Sequence, residues 1–467
     1  MKVVAIDQGT TATKSFTLDD KGKFESVLAL EHQQIYPRPG WVEHDAEELL
    51  RNVTACLDAA GSVDAIGIDN QGETVVAWDA ATGRPIYNAI VWQDDRTQET
   101  TEKLKAAGAE DMTRARAGLP LDPYFSASKL RWFIDHVAEA RSLLKQGRLR
   151  LGTSDAFFLD RLSGTFATDV TTASRTSLMS LETCTWDPEL CKLFDVPIEC
   201  LPEIRSTAGD FGQAGKVPVT ASLVDQQAAL FGHGCPTKIT FGTGAFALTL
   251  TGADRVDGSK FGILPTVAWK IGDEMPTRAL EGGVYNAGSA VNWARGLGLF
   301  KEFSGIASFE MPSALSRNLV FVPALSGLAC PHWDRGAAGL WIGMGLETTA
   351  KDLIQALLEG VALRAAEVIA AMAELTPLGN MISIDGGLTK NSYFNRFLAN
   401  ALQKTVIVQE SPELTGLGTA RMAMRGAGAS ELPPLPAPRA EITPDAPLSP
   451  ELKQRFAEAI KRTKNWK

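Results

Sequence analysis

The first residues of the chain combine a carboxylate, a glycine and two hydroxyls at a predicted hairpin tip. An apolar run at residues 3–6 is typical of a buried strand, and it leads into Asp7, Gly9, Thr10 and Thr11. Glycine lets the backbone approach a ligand closely, so the N–H groups of such a tip can bond phosphate oxygens. The carboxylate of Asp7 could hold Mg²⁺, which takes oxygen ligands and usually keeps several waters. An ordinary polar β-turn is the alternative interpretation of these residues.

A second stretch, at residues 238–250, repeats this plan of strand, Gly-Thr tip and returning strand, with Thr243 at its tip. Its position midway along the chain predicts a duplicated domain, with one phosphate-binding hairpin in each half. A third glycine-rich turn, Asp385 to Gly387, follows an apolar strand and precedes a predicted helix start. Backbone N–H groups and the helix dipole favour phosphate or ribose oxygens at such a point.

Asp225 lies at the end of a predicted strand, immediately before a helix rich in Ala and Leu. Because Asp is among the preferred N-cap residues, we expect it to cap that helix. Capping would also fix the direction of its carboxylate, so a structural role and a catalytic role can coexist. Asp225 is therefore the strongest catalytic candidate in the chain.

The composition predicts two or three domains with a large core. The 467 residues are 45% hydrophobic and 22% charged, with 46 Lys and Arg against 55 Asp and Glu, a net charge of −9. This balance argues against electrostatic binding to nucleic acid or to anionic membranes. The six cysteines lack metal-ligand spacing and are expected to be mostly buried free thiols of a reducing compartment. A signal peptide and a bilayer-spanning run are both missing from the sequence, and we expect a cytoplasmic location.

The sequence contains neither a P-loop nor a protein-kinase glycine-rich loop with a His-Arg-Asp partner. With two hairpins and a double glycine in this order, the chain instead resembles the FGGY carbohydrate kinases, relatives of hexokinase, actin and the Hsp70 ATPase domain. The resemblance runs from residue 3 to about residue 424 and is strongest to the glycerol kinase branch, whose opening motif matches residues 7–11. It implies an α/β fold of two duplicated ribonuclease-H-like domains around a nucleotide cleft, and an ATP-dependent carbohydrate or polyol kinase.

The resemblance divides the chain into three parts. Residues 1–233 are expected to form an N-terminal domain with the first hairpin, the substrate side and Asp225. Residues 234–428 are expected to form a C-terminal domain with the second hairpin and the adenosine site. Residues 429–467 are expected to be a Pro-rich linker and a terminal helix docked on the surface.

The resemblance also implies roles for individual residues. Asp225 matches the base that accepts the proton of the attacking hydroxyl, and Asp7 and Asp225 would hold Mg²⁺. The positions that match the acceptor pocket are Glu73, Trp92, Tyr124, Asp225, Gln226 and Phe246. The positions that match the ATP site are Thr10, Thr11, Lys14, Thr243, Gly288, Asn292, Gly387 and Asn391. Lys14 replaces an Arg, and Asn292 replaces a Gln.

Gly72 departs from this pattern, because glycerol kinases have an Arg there that bonds substrate oxygens. Loss of one charged hydrogen bond costs roughly 1.5–3 kcal/mol, which would weaken glycerol binding or leave room for a larger polyol. We expect the acceptor to be glycerol or a close small polyol. The alternatives are a tetritol, a pentitol or a ketopentose such as xylulose and, more remotely, a catalytically silent sugar-binding regulator.

Two further expectations concern regulation and assembly. Residues 213–217 are too short and insufficiently basic to form the loop through which some bacterial relatives bind fructose 1,6-bisphosphate, so we expect no such regulation. A homo-oligomer is compatible with the sequence, and neither nucleic acid nor a membrane is an expected partner.

Overall fold

The structure, a computed structural model, describes residues 1–466. The strands of the first half are β1 (Lys2–Gln8), β2 (Ala12–Asp19), β3 (Phe24–Glu31), β4 (Glu43–His44), β5 (Ala65–Asn70), β6 (Val75–Asp79), β7 (Ala89–Ile90), β8 (Leu149–Thr153), β9 (Ala167–Asp169), β10 (Met179–Ser180), β11 (Thr185–Trp186), β12 (Glu203–Arg205), β13 (Gln213–Ala214) and β14 (Val217–Val224). Its helices are α1 (Ala46–Ala59), α2 (Gln98–Ala106), α3 (Glu110–Ala117), α4 (Ser126–His136), α5 (Ala138–Lys145), α6 (Ser154–Ser163), α7 (Val170–Ala173), α8 (Pro188–Phe194) and α9 (Asp225–His233).

The second half also contains both strands and helices. Its strands are β15 (Thr237–Phe241), β16 (Ala245–Gly252), β17 (Leu264–Trp269), β18 (Thr277–Val284), β19 (Val320–Val322), β20 (Leu340–Ile342), β21 (Met381–Gly386), β22 (Thr405–Val408) and β23 (Ala440–Ile442). Its helices are α10 (Gly288–Gly296), α11 (Ala350–Ala373), α12 (Ser392–Leu402), α13 (Leu414–Gly426) and α14 (Pro450–Thr463).

Each half is built on a mixed sheet that contains one of the predicted hairpins. The first sheet has six strands in the order β13-β14-β5-β1-β2-β3, and the second has seven in the order β17-β18-β16-β15-β21-β22-β23. In the first sheet the hairpin β1–β2 is extended by parallel β5, and in the second the hairpin β15–β16 is extended by parallel β21. Since parallel strands end at the same edge, the residues that follow β1, β5 and β14 meet there.

Helices α9 and α13 cross where the two halves meet. A Cβ on Gly418 of α13 would collide with the carbonyl of Ala228, and one on Gly232 of α9 would collide with the carbonyl of Leu414. Glycine at both positions therefore allows the helix backbones to touch. Helix α13 belongs by sequence to the predicted C-terminal domain, yet it packs on the first sheet through an apolar cluster shared with β1, β5 and β14.

The loop before α1 has a structural role. Asp45 caps α1, since its Oδ1 accepts a hydrogen bond from the amide of Glu47 at 2.9 Å. Trp41 lies against the guanidinium of Arg96, 3.8 Å from the ring centroid. The same guanidinium is buried in ion pairs with Glu43 and Asp94, at 2.7 and 2.8 Å. These contacts fix the loop beside the strand ends.

The C-terminal segment differs from the expected surface-docked linker and helix. Residues 440–442 form the edge strand β23, which pairs antiparallel with β22. Helix α14 inserts Phe456, Ala459 and Ile460 into the core of the second half. The segment therefore completes this half, because its apolar residues recur at helical spacing and bury one face of α14.

The structure also shows the hydrophobicity of the helices and the state of the cysteines. None of the helices within residues 1–466 is both long enough and apolar enough to cross a membrane. The six cysteines are free thiols, and four of them, Cys56, Cys191, Cys200 and Cys330, are buried, as the sequence predicts.

Candidate active site

Three carboxylates lie at one edge of the first sheet, because β1, β5 and β14 are parallel neighbours. Asp7 of β1 stands opposite Asp69 of β5 in the strand register, and Asp225 directly follows β14. Asp69 accepts a hydrogen bond from the hydroxyl of Thr419, on α13, at 2.6 Å. Burial raises the pKa of both Asp7 and Asp69, and the two carboxyl groups interact directly. This edge therefore brings one buried carboxyl group, Asp69, together with two half-buried ones, Asp7 and Asp225.

Asp225 occupies the first turn of α9, but it does not cap that helix. The N-cap residue is Val224, and the Oδ1 of Asp225 instead accepts a hydrogen bond from the amide of Gln226 at 2.6 Å. The expected N-cap role is therefore wrong, although the carboxylate is held in a fixed direction. Burial raises its pKa to about 7, with Glu73 and Asp7 adding to the effect and Lys238 opposing it. Such a carboxylate can exchange a proton near neutral pH, as a general base must.

Glu73, Tyr124 and Trp92 come together beside Asp225. The rings of Trp92 and Tyr124 meet edge to face with centroids 5.6 Å apart. The indole N–H of Trp92 donates to the Oγ1 of Thr10 at 2.9 Å, which ties this wall to the first hairpin tip. Burial raises the pKa of Tyr124, and Glu73 and Asp225 reinforce that shift, so both carboxylates lie near its ring. The arrangement offers an aromatic wall and carboxylate oxygens to a small hydroxylated molecule.

Arg175 completes this group, and the sequence alone gave it no role. Its Nε donates to Glu73 at 2.8 Å and its Nη2 to Glu281 of β18 at 3.1 Å. The side chains of all three residues are 5% exposed or less. Although burial disfavours its charge, Glu281 and Glu73 together raise the pKa of Arg175. The guanidinium therefore joins the two halves of the molecule and orients Glu73.

Gln226 and Phe246 lie on the side of the second sheet. Lys238 of β15 donates to the Oε1 of Gln226 at 2.6 Å, so a residue of one half is held by a buried ammonium of the other. Phe246 stands opposite Thr240 in the β15–β16 hairpin, and its ring lies against Gly283.

Gly72 adopts a backbone conformation that favours glycine. Its φ is +65°, in the left-handed region, where other residues are strained. A Cβ at this position would have Val224 as its nearest neighbour, at 3.6 Å. The space for a side chain is therefore present, but the turn is not shaped for an Arg.

A cavity of 500 Å³ opens beside the second hairpin. Its wall includes five of the predicted nucleotide residues, namely Thr243, Gly288, Asn292, Gly387 and Asn391. The carbonyls of Gly242 and Thr243 accept hydrogen bonds from the first amides of α10, at 3.0 Å each, so the tip is fixed to that helix. Gly386 has a φ of +94°, and a Cβ there would collide with the backbone of Phe241. This contact brings the double glycine against the hairpin.

Asn391, which lines this cavity, and Lys14 both have polar partners within the protein. Asn391 caps α12 through the amide of Phe394, at 2.9 Å, and its Nδ2 donates to the carbonyl of Ile306 at 2.8 Å. Lys14 stands opposite Asp7 on β2 and forms an ion pair with Glu413 at 2.9 Å. Thr10, which is half-buried, and Thr11, which is exposed, form the tip of the first hairpin and do not line the cavity.

The donor set at the strand ends fits Mg²⁺. Asp7 and Asp225 supply hard carboxylate oxygens, and desolvation raises the pKa of each, so a divalent cation would favour their ionised forms. Within residues 1–466, no three His, Cys, Asp or Glu side chains are placed so that they could hold a metal ion by themselves. That pattern suits an ion held by one or two carboxylates together with waters and phosphate oxygens.

Two sequence profiles of one family match the chain in succession. The FGGY family of carbohydrate kinases, N-terminal domain, matches residues 2–232, and its C-terminal domain matches residues 237–427. The glycerol kinase of Cereibacter sphaeroides is 40% identical over 448 residues, 91% of this chain and 90% of that protein. The glycerol kinase of Paraburkholderia phytofirmans is 39% identical over 443 residues, 90% of this chain and 88% of that protein.

Solved structures of FGGY-type kinases superpose on nearly the whole chain. Plasmodium falciparum glycerol kinase with ADP superposes with a TM-score of 0.91 at 30% identity, covering 99% of this chain and 98% of that one. A xylulose kinase from Lactobacillus acidophilus superposes with a TM-score of 0.86 at 21% identity, covering 99% and 96%. At 21% identity, the similarity to the xylulose kinase is evidence for the fold alone. Together these findings confirm the two-domain kinase fold that the sequence predicts.

Proposed function

The chain belongs to the FGGY family of carbohydrate kinases, and on that premise we propose that it phosphorylates a terminal hydroxyl of glycerol or of a close small polyol. It is an ATP-dependent kinase of the carbohydrate and polyol class. The observation that carries the proposal is Asp225, a half-buried carboxylate whose pKa is raised by desolvation to about 7, beside Glu73 and Tyr124. The glycerol kinase relatives at 39–40% identity support glycerol over the xylulose alternative, whose structural neighbour is only 21% identical.

In this proposal, the two halves of the molecule divide the work of phosphoryl transfer. Glu73, Tyr124 and Gln226 bind and orient the acceptor hydroxyls, while Trp92 and Phe246 cover its carbons. Asp225 accepts the proton of the attacking hydroxyl as the bond to the γ-phosphorus forms and the bond to the leaving ADP oxygen breaks. The transition state of this transfer is loose, so positioning and charge neutralisation supply most of the rate enhancement.

The nucleotide side is proposed from the hairpins and the cavity. Thr10, Thr11 and Thr243 lie at the tips that face phosphate oxygens, and Lys14 adds positive charge once Glu413 releases it. Gly288, Asn292, Gly387 and Asn391 surround the adenosine. Mg²⁺ held near Asp7 and Asp225 would neutralise phosphate charge when bound. Closure of the halves would exclude water, which otherwise competes as the acceptor.

Calorimetry of nucleotide binding tests the proposed ATP and Mg²⁺ sites. Titration with ATP or ADP is expected to give saturable binding that tightens when Mg²⁺ is present, because the ion offsets repulsion between phosphate and the strand-end carboxylates. A folded protein that binds neither nucleotide, with or without Mg²⁺, would contradict the nucleotide site.

The acceptor choice is tested at Gly72. Because φ is +65°, both Gly72→Ala and Gly72→Arg are expected to lose about 1–3 kcal/mol of stability. Only the Arg variant adds donors that can reach acceptor oxygens. We therefore expect Gly72→Arg to raise the ratio of kcat/KM for glycerol to that for a tetritol, relative to the matched Gly72→Ala protein. Equal ratios in the two variants would show that residue 72 does not set acceptor choice.

A further inference from the structure

Lys238 is a fully buried cation within the short strand β15, between Thr237 and Ile239. It lies on β15 with a side chain that is 0% exposed. Its Nζ donates to the Oε1 of Gln226 at 2.6 Å and to the Oγ1 of Thr240 at 3.0 Å. Lys is almost never fully buried unless it is paired, so its presence here indicates a specific function for the contact.

The contact fixes which end of the Gln226 carboxamide faces which group. An ammonium has three donors and no acceptor, so the atom that it meets at 2.6 Å is the carboxamide oxygen. The opposite end, the Nε2 amide, is then the part of the side chain left to meet a bound molecule. Gln226 consequently approaches the acceptor as a hydrogen-bond donor.

Three carboxylates hold the ammonium in its charged form. Burial lowers the pKa of Lys238 to about 8, and this effect is opposed by Asp385 of β21, Asp225 of α9 and Glu281 of β18. The ammonium therefore lies among groups from both halves of the molecule. An apolar residue of similar size, such as Met, could fill the space but could not donate a hydrogen bond to Gln226.

The strand that carries Lys238 also leads to the nucleotide cavity. Phe241 and Thr243, which line that cavity, follow three and five residues later on the same hairpin. Thr240, the second partner of the ammonium, stands opposite Asp385 in the register of β15 and β21, just before the double glycine. A single side chain thus connects Gln226 to the hairpin and to the glycine turn.

We propose that Lys238 is a positioning residue, which holds Gln226 with its Nε2 amide toward the acceptor so that this amide donates to an acceptor hydroxyl oxygen. The inference rests on the proposed function, since it concerns the polyol that the enzyme phosphorylates. Lys238 itself does not touch the acceptor in this account.

The Lys238→Met variant tests the proposal with acceptors that lack one hydroxyl. In the wild-type protein, either 1,2-propanediol or 1,3-propanediol lacks the hydroxyl that Gln226 meets, so kcat/KM should be lower than for glycerol. In Lys238→Met the KM for glycerol is expected to rise about tenfold, while the KM for ATP stays unchanged. The ratio of kcat/KM for glycerol to kcat/KM for that diol is expected to fall about tenfold.

A second buried cation provides the control for a general loss of stability. Arg364 of α11 is 0% exposed, and its hydrogen-bond partners are Glu367 and the carbonyl of Cys330 at 2.6 Å, neither of which is a proposed acceptor residue. Arg364→Met is expected to lower the melting temperature without changing the discrimination between glycerol and the diols. A merely structural role for Lys238 would make the two variants alike.

If Lys238→Met does not fold, the Gln226→Glu variant is used to test whether Gln226 donates to the acceptor. The ammonium keeps a partner in that variant, but the side chain has no donor for the acceptor, so the same loss of discrimination is expected. Unchanged discrimination in either folded variant would overturn the role of Lys238. A wild-type protein that phosphorylates no polyol would instead refute the proposed function itself.

Discussion

Turnover of the Asp225→Asn variant is expected to fall about 10²–10⁴-fold, while its melting temperature at pH 8 rises. The fall follows from loss of the proton acceptor. The rise follows because the wild-type protein keeps an ionised, half-buried carboxylate beside Glu73 and Asp7, whereas Asn is neutral and nearly the same shape. An Asn that lowered stability and left turnover near normal would reduce Asp225 to a structural residue.

The sign of the stability effect depends on pH. The folded pKa of Asp225 is about 7 and the ordinary value is 3.8, so the folded state binds more protons between these limits and stability falls as pH rises through them. The gain in Asp225→Asn should therefore be absent near pH 4 and approach at most roughly 4 kcal/mol by pH 8. Thermal scans without nucleotide or Mg²⁺ measure it, and Asp58→Asn, at an exposed position of α1, is the control that should show no such trend.

The same group predicts the pH dependence of the wild-type reaction. Because the base must be unprotonated, kcat/KM for glycerol should fall as pH decreases through about 7 when MgATP is far below saturation. Saturating MgATP should move this limb to lower pH, since positive charge near the carboxylate favours its ionised form. A rate independent of pH between about 5.5 and 8 would argue against a base of this kind.

Loss of Arg175 is expected to have the largest effect on stability. Arg175→Met leaves Glu73 and Glu281 buried without their shared cation, and removal of one partner from a buried ion pair costs about 3–5 kcal/mol. Glu73 also loses its orientation, so the KM for glycerol should rise more than the KM for ATP. Denaturant unfolding and steady-state kinetics measure the two effects.

An exposed ion pair supplies the control for Arg175. The side chain of Arg51, which pairs with Asp45, is 65% exposed, so Arg51→Met should cost less than about 1 kcal/mol and leave both KM values unchanged. Similar losses in the two variants would mean that the buried triad contributes little, and the account of how the two halves are joined would be wrong.

The elements that local patterns encode were predictable from the sequence. Both hairpins, the strand before Asp225 and the cap at Asp45 follow from apolar runs, turn residues and capping preference, all of which act within a few residues. The resemblance supplied the two-domain plan. By contrast, the edge strand β23 is only three residues long, and its pairing with β22 depends on a partner distant in sequence.

The parts of the site that escaped prediction depend on long-range contacts. Arg175 lies in a polar loop, and its partner Glu281 is 106 residues away, so spacing carries no signal for the pair. Asp69 becomes significant only because β5 lies beside β1 in parallel register. The sequence carries no clear signal for Lys238 either, because its neighbours Thr237 and Ile239 fit a half-exposed strand as well as a buried one. The positive φ of Gly72 is likewise a property of the folded turn rather than of its sequence.

The most direct test of the central claim is ADP release by the purified protein with MgATP and a panel of acceptors, followed by identification of the phosphorylated product. We expect glycerol to give the highest kcat/KM among glycerol, tetritols, pentitols and ketopentoses, with the phosphate on a terminal hydroxyl and almost no release by Asp225→Asn. Glycerol-independent ADP release, or a clear preference for a ketopentose such as xylulose, would contradict the account.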